Sequence, residues 1–232
     1  MQNLLAAFKY LTVWGLARNE PTPTMVGKSA AYFLLVGLLL GLLLGVSNRI
    51  LIFYMDPEII NVVVIALLIF ATGGQPLQGL KEAFDALGVS EDGSSMNGTL
   101  GIAAVVLVIV AKNAAANSMD ELLTLSLLLT PVLARWALII FFYGYEASFD
   151  EIPRLIAKQV SFWPLLANTV VILALAAYVL GRKGLWIALS VSIFTLLLRT
   201  LFHRRHGVVS HSDARASVEL TETLSLILLA SL

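Results

Sequence analysis

Cysteine is absent from this chain, and its absence excludes disulfides, thiolate-bound zinc, iron–sulfur clusters, covalent haem attachment and thiol nucleophiles. Charge is scarce as well: Asp, Glu, Lys and Arg make up 13% of the 232 residues, against about 25% in an ordinary soluble domain. The fifteen basic and fifteen acidic residues cancel. Without a basic excess there is little to hold a phosphate backbone, so no nucleic-acid partner is expected. What takes the place of charge is apolar: 59% of the residues are hydrophobic and the mean hydropathy is +0.89. That is more apolar surface than one water-facing domain hides, and it excludes disorder. The sequence therefore reads as an all-α, polytopic integral membrane helix bundle whose first partner is the lipid bilayer.

Stretches between charges set the organisation. We read residues 1–232 as a single membrane domain that opens on an amphipathic segment, 1–28. That segment lacks the apolar core and cleavage site of a signal peptide, so the mature protein is expected to begin near Met1. Spans are predicted near 29–48, 59–80, 93–111, 122–145, 159–181, 184–198 and 216–232, about six to seven crossings of roughly 20 residues. Gly73, Gly74 and Pro76 are expected to break the second helix before its apolar run ends. The last span is the weakest, because Glu219 and Glu222 fall in its first half. Gly37, Gly41 and Gly45 recur every four residues in the first span. Such spacing clears one helix face for a close neighbour, including a membrane-protein partner, although glycine is also simply common in membrane helices.

Counting Lys and Arg on alternate sides gives an orientation. Lys9, Arg18, Lys28, Lys81, Arg154, Lys158, Arg199, Arg204, Arg205 and Arg215 share the side of the N-terminus. Arg49, Lys112, Arg182 and Lys183 fall on the other, and Arg135 is left within the membrane. The positive-inside rule puts the N-terminus, the 78–92 loop and the 203–213 loop in the cytoplasm of a cell whose inner membrane holds the protein.

Those two loops carry the unusual chemistry. Gln78, Glu82 and Asp85, at i, i+4 and i+7, share one helix face. Two carboxylates so placed suit a hard divalent cation such as Mg²⁺ with substrate phosphate oxygens, and suit equally a solvated acidic face. His203, His206 and His211 lie within nine residues and precede Asp213. That cluster reads as a transition-metal site or, with Arg204 and Arg205 between the histidines, as a basic loop facing phosphates or headgroups. Arg135 is costly in hydrocarbon and points to a polar site inside the bundle.

In order and content these pieces resemble the cobalamin synthase family. LAAFKYLTV (5–13) is similar to that family's opening, and YFLLVGLLLGLLLG (32–45) to its first span. GGQPLQGLKEAFDA (73–86) stands where the family has G-G-x-H-L-D-G-L-x-D-T-x-D-G, and SMNGTLG (95–101) where it has S-x-x-G-T-x-G. RRHGVVSHSDARASVELTE (204–222) parallels R-R-L-G-G-x-T-G-D-T-L-G-A-x-x-E-L-x-E. The resemblance implies a membrane transferase that joins α-ribazole to adenosylcobinamide-GDP and releases GMP. It implies Mg²⁺ at Glu82 and Asp85, with Arg135 also in the catalytic centre. Substrate contacts would come from Gln78, Ser95, Thr99, Lys112, Arg204, Arg205, Ser212 and Asp213. The chain departs from the pattern where Gln78 and Ser212 replace acidic residues and Pro76 replaces a histidine. The first two replacements remove two negative charges from around the metal.

Three functions follow from these residues. The first is the cobalamin synthase-like transferase. The second is a catalytically degenerate member acting as an accessory or structural subunit, docked through Gly37, Gly41 and Gly45. The third is a metal-handling membrane protein or transporter built on the histidines.

Overall fold

The computed structural model describes residues 2–14, 22–88, 98–119, 122–145, 148 and 150–232, with backbone alone at Pro23 and His206. Ser95 lies outside these residues, as do Glu91 and Asp92. Eleven α-helices follow in chain order: α1 (Gln2–Leu11), α2 (Pro23–Ser29), α3 (Phe33–Leu51), α4 (Pro57–Thr72), α5 (Gln75–Leu87), α6 (Thr99–Asn117), α7 (Leu123–Phe142), α8 (Glu151–Gln159), α9 (Phe162–Leu180), α10 (Arg182–His206) and α11 (His211–Ala230). A 3-10 turn, Ala30–Tyr32, joins α2 to α3.

Among the described residues, five helical segments are long and apolar enough to cross a membrane, and α4 with α5 forms a sixth if the pair is one broken span. Exposed aromatic rings gather at both ends: Trp14, Phe162 and Trp163 at one, and Phe53, Tyr54, Tyr178 and Trp186 at the other. Such belts mark the two membrane–water interfaces. The protein is a multi-pass membrane helix bundle.

The expected break in the second span is present. Gly73 and Gly74 both adopt φ near +65°, a conformation that costs glycine little and other residues much, and α5 leaves α4 at 84°. With α4 crossing the bilayer, α5 lies across the end of the bundle. Its apolar side, Pro76, Gly79, Leu80 and Ala83, is buried, and Gln78, Lys81 and Glu82 face outward.

The glycine face of α3 is filled from within the chain. A methyl group at Gly37 would come within 2.7 Å of the Pro131 carbonyl oxygen, and one at Gly41 would collide with the backbone of Leu128. Gly37, Gly41 and Gly45 thus let α3 lie directly against α7, and they offer nothing to a partner protein. This corrects the docking role that the spacing suggested. Lipid does not press helices together as water does, so close backbone approach and interhelical hydrogen bonds carry the association. Asn48 Nδ2 donates to Thr124 Oγ1 at 2.8 Å, Asn61 Nδ2 to Asn117 Oδ1 at 2.6 Å, and Trp136 Nε1 to Thr169 Oγ1 at 3.0 Å. Arg199 of α10 donates to the Tyr143 carbonyl at 2.8 Å, satisfying an acceptor just past the end of α7.

Three spans differ from expectation. The third is Thr99–Asn117 rather than 93–111, so Lys112 sits inside the bundle and not at its outer end. Among the described residues the basic count becomes nine against three, with Lys112 and Arg135 both interior and Arg18 outside the described residues. The sixth extends through Arg182–His206, well beyond the break expected at Arg199. α11 is too polar to qualify as a span, but it runs the length of the bundle. Its first residue meets Asp150, and the Leu232 carbonyl just past its other end accepts from Lys183 Nζ at 2.7 Å.

Candidate active site

The corner at Gly73–Gly74 and the start of α11 bring the two sequence motifs together at one end of the bundle. α11 is opened by a capping box: Ser210 Oγ accepts from the Asp213 amide at 3.1 Å, and Asp213 Oδ2 accepts from the Ser210 amide at 2.8 Å. Asp213 is thereby fully buried as a helix cap. Gly79 allows α5 to cross within reach of this turn, where a methyl group would stand 2.8 Å from the Ser212 carbonyl oxygen.

Across that crossing, Ser212 Oγ donates to Glu82 Oε2 at 2.5 Å, and Gln78 Nε2 donates to Glu82 Oε1 at 2.8 Å. Both donors are neutral, and among the described residues no cation pairs with Glu82. Gln78, Glu82 and Ser212 therefore form one polar triad that retains a negative charge. Asp85 is placed differently. Lys81 Nζ stands 2.8 Å from its Oδ2, and the Gly101 amide donates to its Oδ1 at 2.8 Å, so it satisfies the N-terminus of α6. Glu82 turns to α11 and Asp85 to α6. Thr99 opens α6 beside this contact and is exposed.

Basic residues ring the same end. Arg215 Nη2 donates to Gln75 Oε1 at 3.1 Å, exposed Arg205 donates to the Leu87 carbonyl at 3.2 Å, and Arg204 is exposed on the last turn of α10. The histidines do not gather. His203 Nδ1 faces the Tyr145 hydroxyl at 2.6 Å, whereas His211 Nδ1 faces the Tyr10 hydroxyl at 3.4 Å. The side chain of His206 lies outside the described residues. Among the described residues no three His, Asp or Glu side chains converge as metal ligands. Burial, then the Arg215 charge, pushes the His211 imidazole down to about 4, so it is neutral at pH 7. Burial also holds the Tyr10 phenol protonated well above its ordinary range.

Deeper in the bundle lies a second polar assembly. Lys112 of α6 contacts Glu219 at 2.5 Å and Glu222 at 2.8 Å, and Arg135 of α7 pairs with Glu222. All four are at most 4% exposed. Two cations and two anions cancel within hydrocarbon, as the cost of an isolated charge requires. Between this quartet and the polar end is a void of about 20 Å³, lined by Tyr10, Gln75, Arg135 and Arg215 among others. It has room for about one water and none for a phosphate group. Lys112 and Arg135 thus tie α6 and α7 to α11, away from the surface where a substrate would arrive.

The sequence model of the family described as cobalamin-5-phosphate synthase matches residues 3–230. The chain is 31% identical over 232 residues to the adenosylcobinamide-GDP ribazoletransferase of Pseudomonas entomophila, covering 90% of each. Over 229 residues it is 29% identical to the Pseudomonas fluorescens protein of that name, covering 89% of each. A third relative, from Geotalea daltonii, bears the same name and is 27% identical over 218 residues, covering 89% of this chain and 87% of its own. No solved structure matches. A match from residue 3 to residue 230, over the corner, both motifs and the glutamates of α11, means that the chain belongs to the cobalamin-5-phosphate synthase family.

Proposed function

We propose that the chain is an adenosylcobinamide-GDP ribazoletransferase of cobalamin biosynthesis, with its site at the α5–α11 crossing. The observation that carries this reading is the contact between Glu82 and Ser212, 130 positions apart. It joins the two motif segments at a membrane surface where Lys81, Arg204, Arg205 and Arg215 supply positive charge. In the reaction, a ribazole hydroxyl attacks the cobinamide-bearing phosphorus of the diphosphate and GMP departs. Such a transfer depends on positioning and on neutralising phosphate charge. The guanidiniums suit that task through bidentate contact with phosphate oxygens.

Mg²⁺ fits Glu82, whose charge is not neutralised by a protein cation. Asp85, one turn further along α5, is paired with the exposed Lys81 and accepts from the Gly101 amide. A divalent ion bound through Glu82 and substrate oxygens would neutralise the diphosphate. Gln78 and Ser212 orient the Glu82 carboxylate for that contact. The relatives' reaction brings a corrinoid nucleotide and α-ribazole as small-molecule partners. With nine described basic residues on the side of the motif end, that end faces the cytoplasm and the protein sits in the inner membrane.

Detergent-purified protein given adenosylcobinamide-GDP is expected to release GMP only when α-ribazole and Mg²⁺ are both present. No turnover at saturating substrate would overturn the transferase reading and favour the accessory-subunit one. Reporter fusions at the 181–183 turn and within the 203–210 segment test the orientation. Activity of a cytoplasm-dependent reporter at the first site alone rejects it.

A further inference from the structure

On the motif side of the membrane, the first turns of α3 and α9 stand apart, and the gap between them holds two adjoining cavities. The outer one, about 310 Å³, is lined by Asn3, Lys28, Ala31, Tyr32, Gln159 and Asn168 among others. The deeper one, about 240 Å³, is lined by Leu34 and Leu38 of α3, Val171 and Leu175 of α9, and Val132 of α7. Ala31 and Asn168 line both, so the two form one continuous cleft. None of the side chains named at the α5–α11 crossing belongs to it.

Depth and polarity divide the cleft into a head and a tail. Phe162 and Trp163, exposed at the aromatic belt, directly precede Pro164 on the wall of the outer cavity, which sets that cavity at headgroup depth. From Ala31 to Leu38, and from Asn168 to Leu175, the walls then descend about 10 Å and are apolar below Asn168. The outer cavity has one cation, Lys28, and no acidic residue among the described residues that line it. Lys28 is exposed, and Asn3 and Tyr32 are half-buried. Among the described residues the side chains of these three have no hydrogen-bonding or ionic partner, and none of their polar atoms is sealed from the surface. Arg154 and Lys158 are exposed on α8, the helix that supplies Gln159. That helix is held against α2 at Gly27, where a methyl group would stand 2.9 Å from the Leu155 carbonyl oxygen.

We propose that this cleft binds an anionic phospholipid, its phosphate on Lys28 and Tyr32 and one acyl chain between α3 and α9. An ammonium with hydroxyl and amide donors around it matches phosphate oxygens, and the described lining residues include no carboxylate to repel them. A choline headgroup would bring its cation into the field of Lys28, Arg154 and Lys158, so the site selects phosphatidylglycerol over phosphatidylcholine. The apolar half of the cleft makes the ligand a lipid: a soluble phosphate would leave the deeper cavity unfilled.

The experiment uses the full chain in mild detergent, with phosphatidylglycerol or phosphatidylcholine of the same acyl chains added in turn. Lipid retained in native mass spectrometry and the thermal midpoint are read together. Phosphatidylglycerol is expected to be retained preferentially and to raise the midpoint more. Lys28→Gln is expected to lower that retention about fivefold, the scale of one basic residue at a membrane surface, with the lipid-free midpoint unchanged. Arg182→Gln removes the same charge from an exposed position at the other end of the bundle and is expected to leave retention as it was. Ala31→Trp fills the junction of the two cavities and is expected to abolish the preference; its lipid-free midpoint shows whether it folds, and if it does not, Lys28→Gln and Arg182→Gln decide. Equal retention of the two lipids by the unaltered chain, a preference that survives Lys28→Gln or a folded Ala31→Trp, or an equal loss in Arg182→Gln overturns the proposal.

Discussion

Arg135 of α7 and Glu222 of α11, 87 positions apart, meet as a buried ion pair, and the other oxygen of Glu222 is held by Lys112 of α6. One carboxylate therefore joins three helices inside the bundle.

Removing one partner of such a pair leaves the other as an uncompensated buried charge. Glu222→Gln or Arg135→Met alone is expected to cost about 3–5 kcal/mol. R135M/E222Q leaves Lys112 and Glu219 matched and is expected to cost clearly less than the sum of the two. Thermal unfolding in detergent, arranged as a double-mutant cycle, checks this; additive costs would mean that the pair is not coupled.

Glu82 and Asp85 separate by function. Glu82→Gln is expected to lower GMP release by about 10²-fold, the scale of losing one preorganised electrostatic group, with the thermal midpoint little changed. Asp85→Asn is expected to act mainly on stability, lowering the thermal midpoint through the weakened start of α6. Rate and midpoint measured on both variants decide the matter, and equal rate losses with unchanged midpoints would return Asp85 to the reaction centre.

The glycines of α3 form a graded series. Gly41→Ala drives a methyl group into the Leu128 backbone, and Gly37→Ala meets the Pro131 carbonyl at 2.7 Å, whereas Gly45→Ala meets the Thr124 carbonyl only at 3.3 Å. Costs of about 1–3 kcal/mol are expected at the first two positions, and at the third a small effect or none. Midpoints in the order Gly45→Ala, Gly37→Ala, Gly41→Ala, falling, would bear this out.

His211 makes stability depend on pH. Its folded value, about 4, lies below the unfolded value of about 6.5, so the unfolded chain binds more protons between them. Stability contributed by His211 is full above about pH 6.5 and is lost progressively as pH falls toward 4. His211→Gln is expected to flatten that part of the midpoint-against-pH curve, and a curve of unchanged shape would assign the dependence elsewhere.

Much of the bundle was legible because apolar runs and glycine corners are local signals. The break at Gly73–Gly74 needed no knowledge of the rest of the chain. Lys112 shows where this stops: a lone lysine ends an apolar run, and only contact with Glu219 and Glu222, over a hundred residues later, makes it an interior residue. The i, i+3 pair of glutamates with two stray cations, Lys112 and Arg135, was the available signal for the quartet. Both halves were visible, but their pairing is a property of the tertiary structure. At the site, helix spacing placed Gln78 beside Glu82 correctly. It gave no sign that Lys81 and the Gly101 amide would take Asp85, nor that Arg215, Tyr10 and Asp150 would surround the start of α11.

The polarity of α11 bears on how the protein is made. Each acidic or basic residue at the centre of a segment adds about 2.5–3.5 kcal/mol to the cost of entering the bilayer from the translocon, and α11 carries Asp213, Arg215, Glu219 and Glu222. Such a segment has no favourable route into lipid alone. Lys112 and Arg135 belong to helices synthesised earlier, so by the time α11 emerges its counter-charges already stand in the membrane. Biogenesis then has an order: the apolar helices form a socket with two unmatched cations, and the polar helix is drawn in to neutralise them. A chain halted before α11 keeps those two charges exposed to lipid, which distinguishes an unfinished molecule from a finished one.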